Sequence, residues 1–373
     1  MYKVRFVNPQ KQFADHKEEY MGAVEQVFSQ GNLIMRQDLK DFEESIAKFA
    51  GVKHAIGVNS GTSAIYLSLK AAGIGPGDEV ITVAHTFIAS ISCIYLVGAT
   101  PVLVDVGEDF NINPDLIEAA ITPKTRAIEV VHLNGRICDM DRVQDIAKKH
   151  NLIIIEDAAQ AMGATYTMRD GSVKKAGSFG LTGCFSLYPF KALGAFGNSG
   201  IITTDDDAIA KKLMLLRYNG EDRETRFFSY HSHNMLMDNV QAALLNVKMK
   251  YFPGWIARRR EIANLYYEGL KDVPQVKLPH FDDNRYYDIY TNYAVRAERR
   301  DELKKYFDDN ELVETIVSWP IPMYKQTAML PNDYFLPETE KICMEIISLP
   351  MYPELTNEDA QNVIDAIKTF YMK

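Results

Sequence analysis

The chain has 373 residues, 47% hydrophobic and 24% charged, with a formal net charge of −9; this balance excludes a disordered or fibrous chain, and the length suits a large domain with a smaller companion, since single cores stop growing near about 250–300 residues. The acidic excess excludes general affinity for nucleic acid or anionic membrane, though it leaves room for a local cationic pocket. No segment has the roughly 18 apolar residues of a membrane helix, MYKVRFVNPQKQ is no signal sequence, and Cys93, Cys138, Cys184 and Cys343 are too scattered for a disulfide framework or a metal site, so a reduced, cytoplasmic protein is expected.

In chain order, residues 1–20 read as an N-terminal segment, and Leu39, Phe42, Ile46 and Phe49 recur at helical spacing through 40–50. Seven short apolar runs follow, at 54–58, 79–83, 101–105, 126–132, 152–156, 183–187 and 200–204, with helices such as 62–72 and 141–150 between several of them. Runs that lack strict polar alternation and are separated by helices predict an α/β fold, with a seven-stranded, mainly parallel sheet between helices. The last two runs are too close for a crossover helix, so 200–204 is expected to lie antiparallel. A helical run continues from Asp205 to about Tyr218, and after a mixed segment a long helix covers 237–270, with a break expected near Pro253 as the lobe boundary. The strand-like NYAVRAE at 292–298 and a helix near 357–371 fit a smaller α+β domain. The expected division is an N-terminal segment at 1–20, a large domain at 21–250 and a small C-terminal domain at 251–373.

Three constellations carry chemistry. Asn59-Ser60-Gly61-Thr62-Ser63 follows a strand and opens a helix, where free N–H groups and the helix dipole favour a phosphate and hydroxyls add donors; the alternative is an ordinary N-cap without ligand. Glu156-Asp157-Ala158-Ala159-Gln160 brings an apolar strand to two acids at its carboxyl end, where open α/β sheets bind ligands. An acid there can hold the ring nitrogen of pyridoxal phosphate (PLP) protonated; a helix cap or a metal ligand is the competing reading, and no ligand-spaced cluster accompanies it. Ser186-Leu187-Tyr188-Pro189-Phe190-Lys191-Ala192-Leu193-Gly194 sets one lysine in an apolar, glycine-bearing stretch. Such a setting disfavours the ammonium and frees the amine to condense with an aldehyde, the alternative being a snorkelling surface lysine.

Phosphate cradle, acid and lysine in this order, together with GNLIMRQDLKDFEESIAKFAGVKHAIGVNSGTSAI, HTFIAS, GATPVLVDV, HLNGRICDMD, IIEDAAQAMGA, SLYPFKALGAFGNSG, HNMLMDNVQAALL, WPIPMYKQ and SLPMYPELT, resemble the sugar-nucleotide aminotransferases of the DegT/DnrJ/StrS group, a branch of the fold-type-I PLP enzymes. The resemblance covers nearly the whole chain. It implies transfer of an amino group from L-glutamate to a nucleotide-linked 3- or 4-keto-deoxy sugar, in amino-sugar synthesis for glycans, lipopolysaccharide O-antigen or secondary metabolites. By position it makes Lys191 the cofactor-linked lysine, Asp157 the ring-nitrogen partner, Gln160 the neighbour of the 3-hydroxyl and Phe87 the stacking aromatic, with Ser60, Gly61, Thr62 and Ser186 at the phosphate. It also implies a homodimer with shared sites, in which Asn234 reaches the phosphate of the neighbouring subunit.

The chain departs from the family pattern at Met235 and Leu236, where an arginine is usual shortly after that asparagine, and at Tyr324, where a histidine is usual on the sugar side. Tyr324 is therefore a candidate specificity residue. His85 and His132, near strand ends, are candidate sugar or cofactor contacts, with structural histidines as the alternative. Arg217, Arg223 and Arg226 are read as a solvated charged loop, with contacts to substrate phosphates or the donor carboxylate as the alternative. A PLP-dependent sugar dehydratase and a non-catalytic PLP-binding regulator are the rival functions; the dehydratase branch carries histidine at the lysine position, so Lys191 argues against it.

Overall fold

Local capping and turn chemistry set most element boundaries in the computed structural model, which describes residues 2–279, 283–329 and 333–372. Three helices come first, α1 (Pro9–Asp15), α2 (Lys17–Ser29) and α3 (Gln37–Ala50). The first two lie in and beyond the stretch read as an N-terminal segment. Their signal was Asn8-Pro9, for Asn8 accepts the Lys11 N–H as N-cap and Pro9 occupies the first turn, where its missing N–H costs nothing. Helix α3 buries Leu39, Phe42, Ile46 and Ala50 along one stripe and ends at Gly51, whose φ of 77° is the left-handed stop that glycine favours.

Strands and helices then alternate as β1 (His54–Val58), α4 (Gly61–Ala71), β2 (Glu79–Val83), α5 (Ile88–Leu96), β3 (Thr100–Val104), β4 (Thr125–Val131), α6 (Met140–His150) and β5 (Ile153–Asp157). A small hairpin, β6 (Thr165–Thr167) and β7 (Val173–Lys175), precedes β8 (Thr182–Ser186), β9 (Gly200–Thr204) and α7 (Asp207–Leu216). The seven expected strands all form, each within about one residue of its expected bounds, the usual slack of strand ends. They make one sheet in the order β1-β9-β8-β5-β4-β2-β3, in which β9 alone runs against its neighbours. Alternate residues feed two cores. Ile128, Val130 and Ile154 pack with α3 and α6, whereas Ala127 and Ile155 pack with α4, α5 and α7.

Helix α8 (Asn239–Leu270) corrects the expected break, since it runs through Pro253 without interruption. Pro253 and Gly254 face solvent between buried Phe252 and Trp255, so the carbonyl that loses its partner can be hydrated while packing holds the helix on its other side. The remaining elements are β10 (Val276–Lys277), β11 (Tyr286–Tyr287), β12 (Tyr293–Ala297), α9 (Arg300–Asp309), α10 (Pro337–Glu345), β13 (Ile346–Leu349) and α11 (Asn357–Tyr371). β10, β12 and β13 form an antiparallel sheet whose core takes Tyr266 and Leu270 from α8, Ile364 and Phe370 from α11, and Val4 from the N-terminus. Strand β11 instead pairs with β6 of the larger lobe.

Where β8 crosses the 177–180 turn there is no room for a side chain, because a Cβ on Gly183 would lie 2.3 Å from the Gly177 Cα. Gly183→Ala is expected to cost about 1–3 kcal/mol, since backbone on both sides must move. Chemical denaturation checks this, and a midpoint equal to that of the unaltered protein would contradict the packing.

Candidate active site

The carboxyl ends of β1, β2, β4, β5 and β8 open on a cavity of about 460 Å³, within the range of small-molecule sites. Ser60, Gly61, Thr62, Phe87, His132, Asp157, Gln160, Ser186 and Lys191 all line it. Residues spread over 130 positions of sequence meet because the parallel strands deliver their following loops to one edge.

At one end of the cavity, helix α4 begins. The Ser60 hydroxyl accepts the Ser63 N–H at 3.0 Å, and the Ser60 carbonyl accepts that of Ala64. No acceptor for the Gly61 and Thr62 N–H groups is found among the described residues, so two donors at a helix N-terminus remain for an anion. The turn lies close against the end of β8. A Cβ on Gly61 would sit 2.7 Å from the Ser186 Cβ, and it is the bare glycine that lets Ser186 approach the same end of the cavity.

Asp157 also lines the cavity and is buried. Its Oδ2 accepts the Ser90 hydroxyl at 2.7 Å and its Oδ1 the Ala159 N–H at 3.1 Å. Since Ser90 spends its proton on the carboxylate, Thr86, 2.8 Å away, donates to Ser90 in turn. Burial still raises the carboxyl above its ordinary range, opposed by these donors and by Lys191. The sequence reading missed Ser90 and Thr86. Their signal was nearness in sequence, because Thr86 and Ser90 flank Phe87, the N-cap of α5.

Lys191 sits in the turn after β8, where its own N–H closes on the Tyr188 carbonyl. Burial lowers its amine below the usual lysine range, and Asp157 pulls the other way. Among the described residues no carboxylate comes within ion-pair distance of Nζ. Phe87 also lines the cavity and is 57% exposed, so it offers an aromatic surface to an occupant.

Two further side chains are fixed by their second contacts. His132 Nδ1 accepts the Cys138 N–H at 3.2 Å, so its proton is on Nε2, which donates to Glu156 at 3.0 Å. Glu156 also accepts the N–H groups of Gly177, Phe179 and Gly180, and this acid beside Asp157 is thereby satisfied as a structural tie. Gln160 Oε1 accepts the Asn134 N–H at 2.7 Å and the Asn292 amide at 3.2 Å, which leaves its Nε2 as the donor for any occupant.

Two tentative substrate contacts lie elsewhere, and the structure corrects both. His85 is fully buried beside Phe110, Trp319 and Cys343, where burial pushes its pKa down to about 3 and keeps it neutral. Tyr324 is buried with Ala84, Ile91 and Leu103, and its hydroxyl donates to Glu340. Hydrophobic packing claims both positions, which spacing alone could not reveal. Of the three arginines, Arg217 is buried against Glu43 and the Gly57 carbonyl, a structural tie rather than a loop charge, whereas Arg223 and Arg226 are exposed. Asn234 is also exposed and does not line this chain's cavity.

These residues fit PLP. It needs an anion cradle, a flat surface, an acid for its ring nitrogen and an amine for its aldehyde, and the cavity presents two unclaimed N–H groups, an open phenyl face, a buried carboxylate and a lysine with lowered basicity.

The DegT/DnrJ/EryC1/StrS aminotransferase family model matches residues 14–368. A "Pleiotropic regulatory protein" of Geobacillus stearothermophilus is 39% identical over 367 residues, covering 97% of this chain and 96% of the relative. The dTDP-3-amino-3,4,6-trideoxy-alpha-D-glucose transaminase of Micromonospora megalomicea subsp. nigra is 37% identical over 364 residues, 96% of each chain. Among solved structures, S. venezuelae DesV in complex with a ketimine intermediate superposes with a TM-score of 0.95 at 36% identity, over 100% of both chains.

Because burial raises Asp157 in the folded state, that state holds the proton more tightly than the unfolded chain, and stability is lost as pH rises between the two values. Above that interval the cost is fully present. Cofactor-free Asp157→Asn is therefore expected to melt about 1–3 °C higher than the unaltered protein at neutral pH, with the gap closing toward pH ~4. Calorimetry across pH checks this; a variant less stable at every pH would show that the Ser90 and Ala159 bonds outweigh burial.

Proposed function

Since the chain belongs to the DegT/DnrJ/EryC1/StrS aminotransferase family, whose enzymes use PLP, we propose that it moves the amino group of L-glutamate onto a nucleotide-linked keto-deoxy sugar, at C3 or C4, for an amino-sugar glycan such as lipopolysaccharide or for a secondary metabolite. The observation that carries the reading is that Lys191 and Asp157 line one cavity that also presents a phosphate cradle. The transaminase names of relatives that match over nearly the whole chain support the substrate class.

In this reading Ser60, Gly61, Thr62 and Ser186 hold the cofactor phosphate, Phe87 covers one ring face, and Gln160 donates to the 3-hydroxyl. His132, neutral and fixed by Glu156, keeps the cavity wall beside them in place. When bound, the cofactor supplies an electron sink and carries the amino group between donor and acceptor. Asp157 would pair with the ring nitrogen and hold a proton there. Lys191 would be the covalent anchor, and once displaced by the donor amine its Nζ would take the proton from the donor α-carbon and return it to the carbon on the other side of the amino nitrogen, as base and then acid. The lowered basicity of Lys191 suits this work, because a permanently protonated amine could neither attack nor accept. The keto sugar passes through the same residues in reverse order, positioned by its nucleotide.

The regulatory name of the Geobacillus stearothermophilus relative does not alter the reading, since a binding role needs neither the amine nor its paired acid. We read the enzyme as a homodimer with shared sites. Asn234 stands exposed on the 219–234 segment with Phe227 and Phe228, which are 75% and 67% exposed, and a second copy covering that segment would bring Asn234 to the partner's phosphate site. Four free, buried cysteines favour the cytoplasm.

Purified protein with glutamate and a panel of keto sugar nucleotides is expected to form 2-oxoglutarate with at least one acceptor. Borohydride treatment should label Lys191 in peptide maps, and Lys191→Ala should lower turnover by about a thousandfold or more. Failure with every acceptor favours the dehydratase reading, and a label on another lysine removes the assignment. If the sites are shared, an equal mixture of inactive Lys191→Ala and Asn234→Ala chains regains roughly a quarter of the active sites by subunit exchange, whereas no recovery after verified exchange counts against them.

A further inference from the structure

Lys248 is a buried lysine that the proposed reaction leaves unused. It follows Gln241 by seven residues on α8, so both side chains leave the helix on one face and meet the turn after Lys191. Gln241 Oε1 accepts the Phe196 N–H at 3.0 Å, and the Lys248 ammonium donates to the Gly194 carbonyl at 2.6 Å. Lys248 is only 3% exposed, its Nζ lies 4.3 Å from the centre of the Phe196 ring, and it has no ion pair among the described residues. Its other acceptor is Gln12 Oε1 on α1 at 3.1 Å. An ammonium can only donate, which fixes the Gln12 amide so that its Nε2 faces Glu354 of the smaller lobe at 3.2 Å. A line of contacts thus runs from Glu354 through Gln12 and Lys248 to the third residue after Lys191.

Burying an ammonium among neutral acceptors is expensive, and here it brings the amine down to about 8. An apolar side chain would pack at the same place without that penalty. The titratable groups facing Lys248 are Glu354, beyond Gln12, and the Tyr20 hydroxyl, whose ring lies 5.9 Å from Nζ and whose own ionisation burial opposes. The turn it grips is already tight. The Ala195 N–H closes on the Leu187 carbonyl, and a Cβ on Gly194 would lie 2.3 Å from the Pro189 carbonyl oxygen. A turn closed this tightly moves as a unit, so an anchor on Gly194 sets where Lys191 stands.

We propose that Lys248 is a positioning residue: with Gln241 it pins the Lys191–Asn198 turn to α8 so that the Lys191 amine is held at the cavity, and through Gln12 and Glu354 it ties that placement to the seating of the smaller lobe. The inference rests on Lys191 being the cofactor-linked amine.

Two readouts test it on the full chain. In cofactor-free protein, Lys248→Met is expected to speed hydrogen exchange of the 192–196 amides about tenfold, the loss of one strong anchor. In cofactor-loaded protein, the pH midpoint of the absorbance change of the lysine-linked cofactor is expected to rise by about half a unit to one unit, because a constrained anchor favours proton loss and that constraint is removed. Lys248→Arg, which keeps charge and donors, is expected to restore both values. A variant that melts earlier yet leaves exchange and midpoint where they were would overturn the proposal, since scaffold loosening alone predicts that pattern. Should Lys248→Met fail to fold, Gln12→Ala carries the test with an expected rise in exchange of about threefold, and unchanged exchange there also overturns it. Borohydride label missing from Lys191 counts against the reading beneath; label on Lys191 with unmoved values counts against this inference alone.

Discussion

Holding a buried carboxyl at the sheet edge, within the field of a lysine but without a salt bridge to it, is the constraint on which the site depends. Asp157 is buried, and the protein supplies its carboxyl with the Ser90 hydroxyl, backed by Thr86, and the Ala159 N–H. A direct bond to Lys191 would have been the simpler stabiliser, but it would have tied up the amine. Separating the two leaves the acid short of a cation and the amine short of an acid, and each is then available to the same ligand.

The sheet meets this requirement by its connectivity. Four parallel strands bring Phe87, His132, Asp157 and the Lys191 turn to one edge, while the reversed β9 fits between β1 and β8 and lets the Ser60 turn and the end of β8 lie almost in contact. Glycine at 61 makes that contact possible, and the phosphate-type donors can then face the same space as the lysine. The helices on the two faces bury the sheet, and only the N-terminal turns of α4 and α5 reach the cavity, so packing and chemistry are carried largely by different residues.

Much of this was legible in the sequence because it is local. Apolar runs of five residues between helical stretches fixed seven strands, and Ser60, Asp157 and Lys191 stood where such strands end. What escaped was set by distant contacts. Ser90 looked like one more small residue on an apolar helix, and its partner is 67 residues away. His85 and Tyr324 had plausible positions, yet the burial that removes them from the cavity comes from segments far along the chain, Trp319 and Cys343 in one case and Ala84, Ile91 and Leu103 in the other. The Pro253 expectation failed for a related reason. Propensity names proline a breaker, but which side of the helix it faces depends on tertiary packing.

The continuity of α8 also bears on how the chain can be divided. Its early turns pack on α2 and α3, and its late turns supply Tyr266 and Leu270 to the smaller lobe, so the frontier between the lobes falls inside a rod and not in a tether. Severing the polypeptide there would leave two fragments, each with a raw apolar stripe and half a helix to complete. A cut within α8 would therefore disturb the packing of both lobes at once.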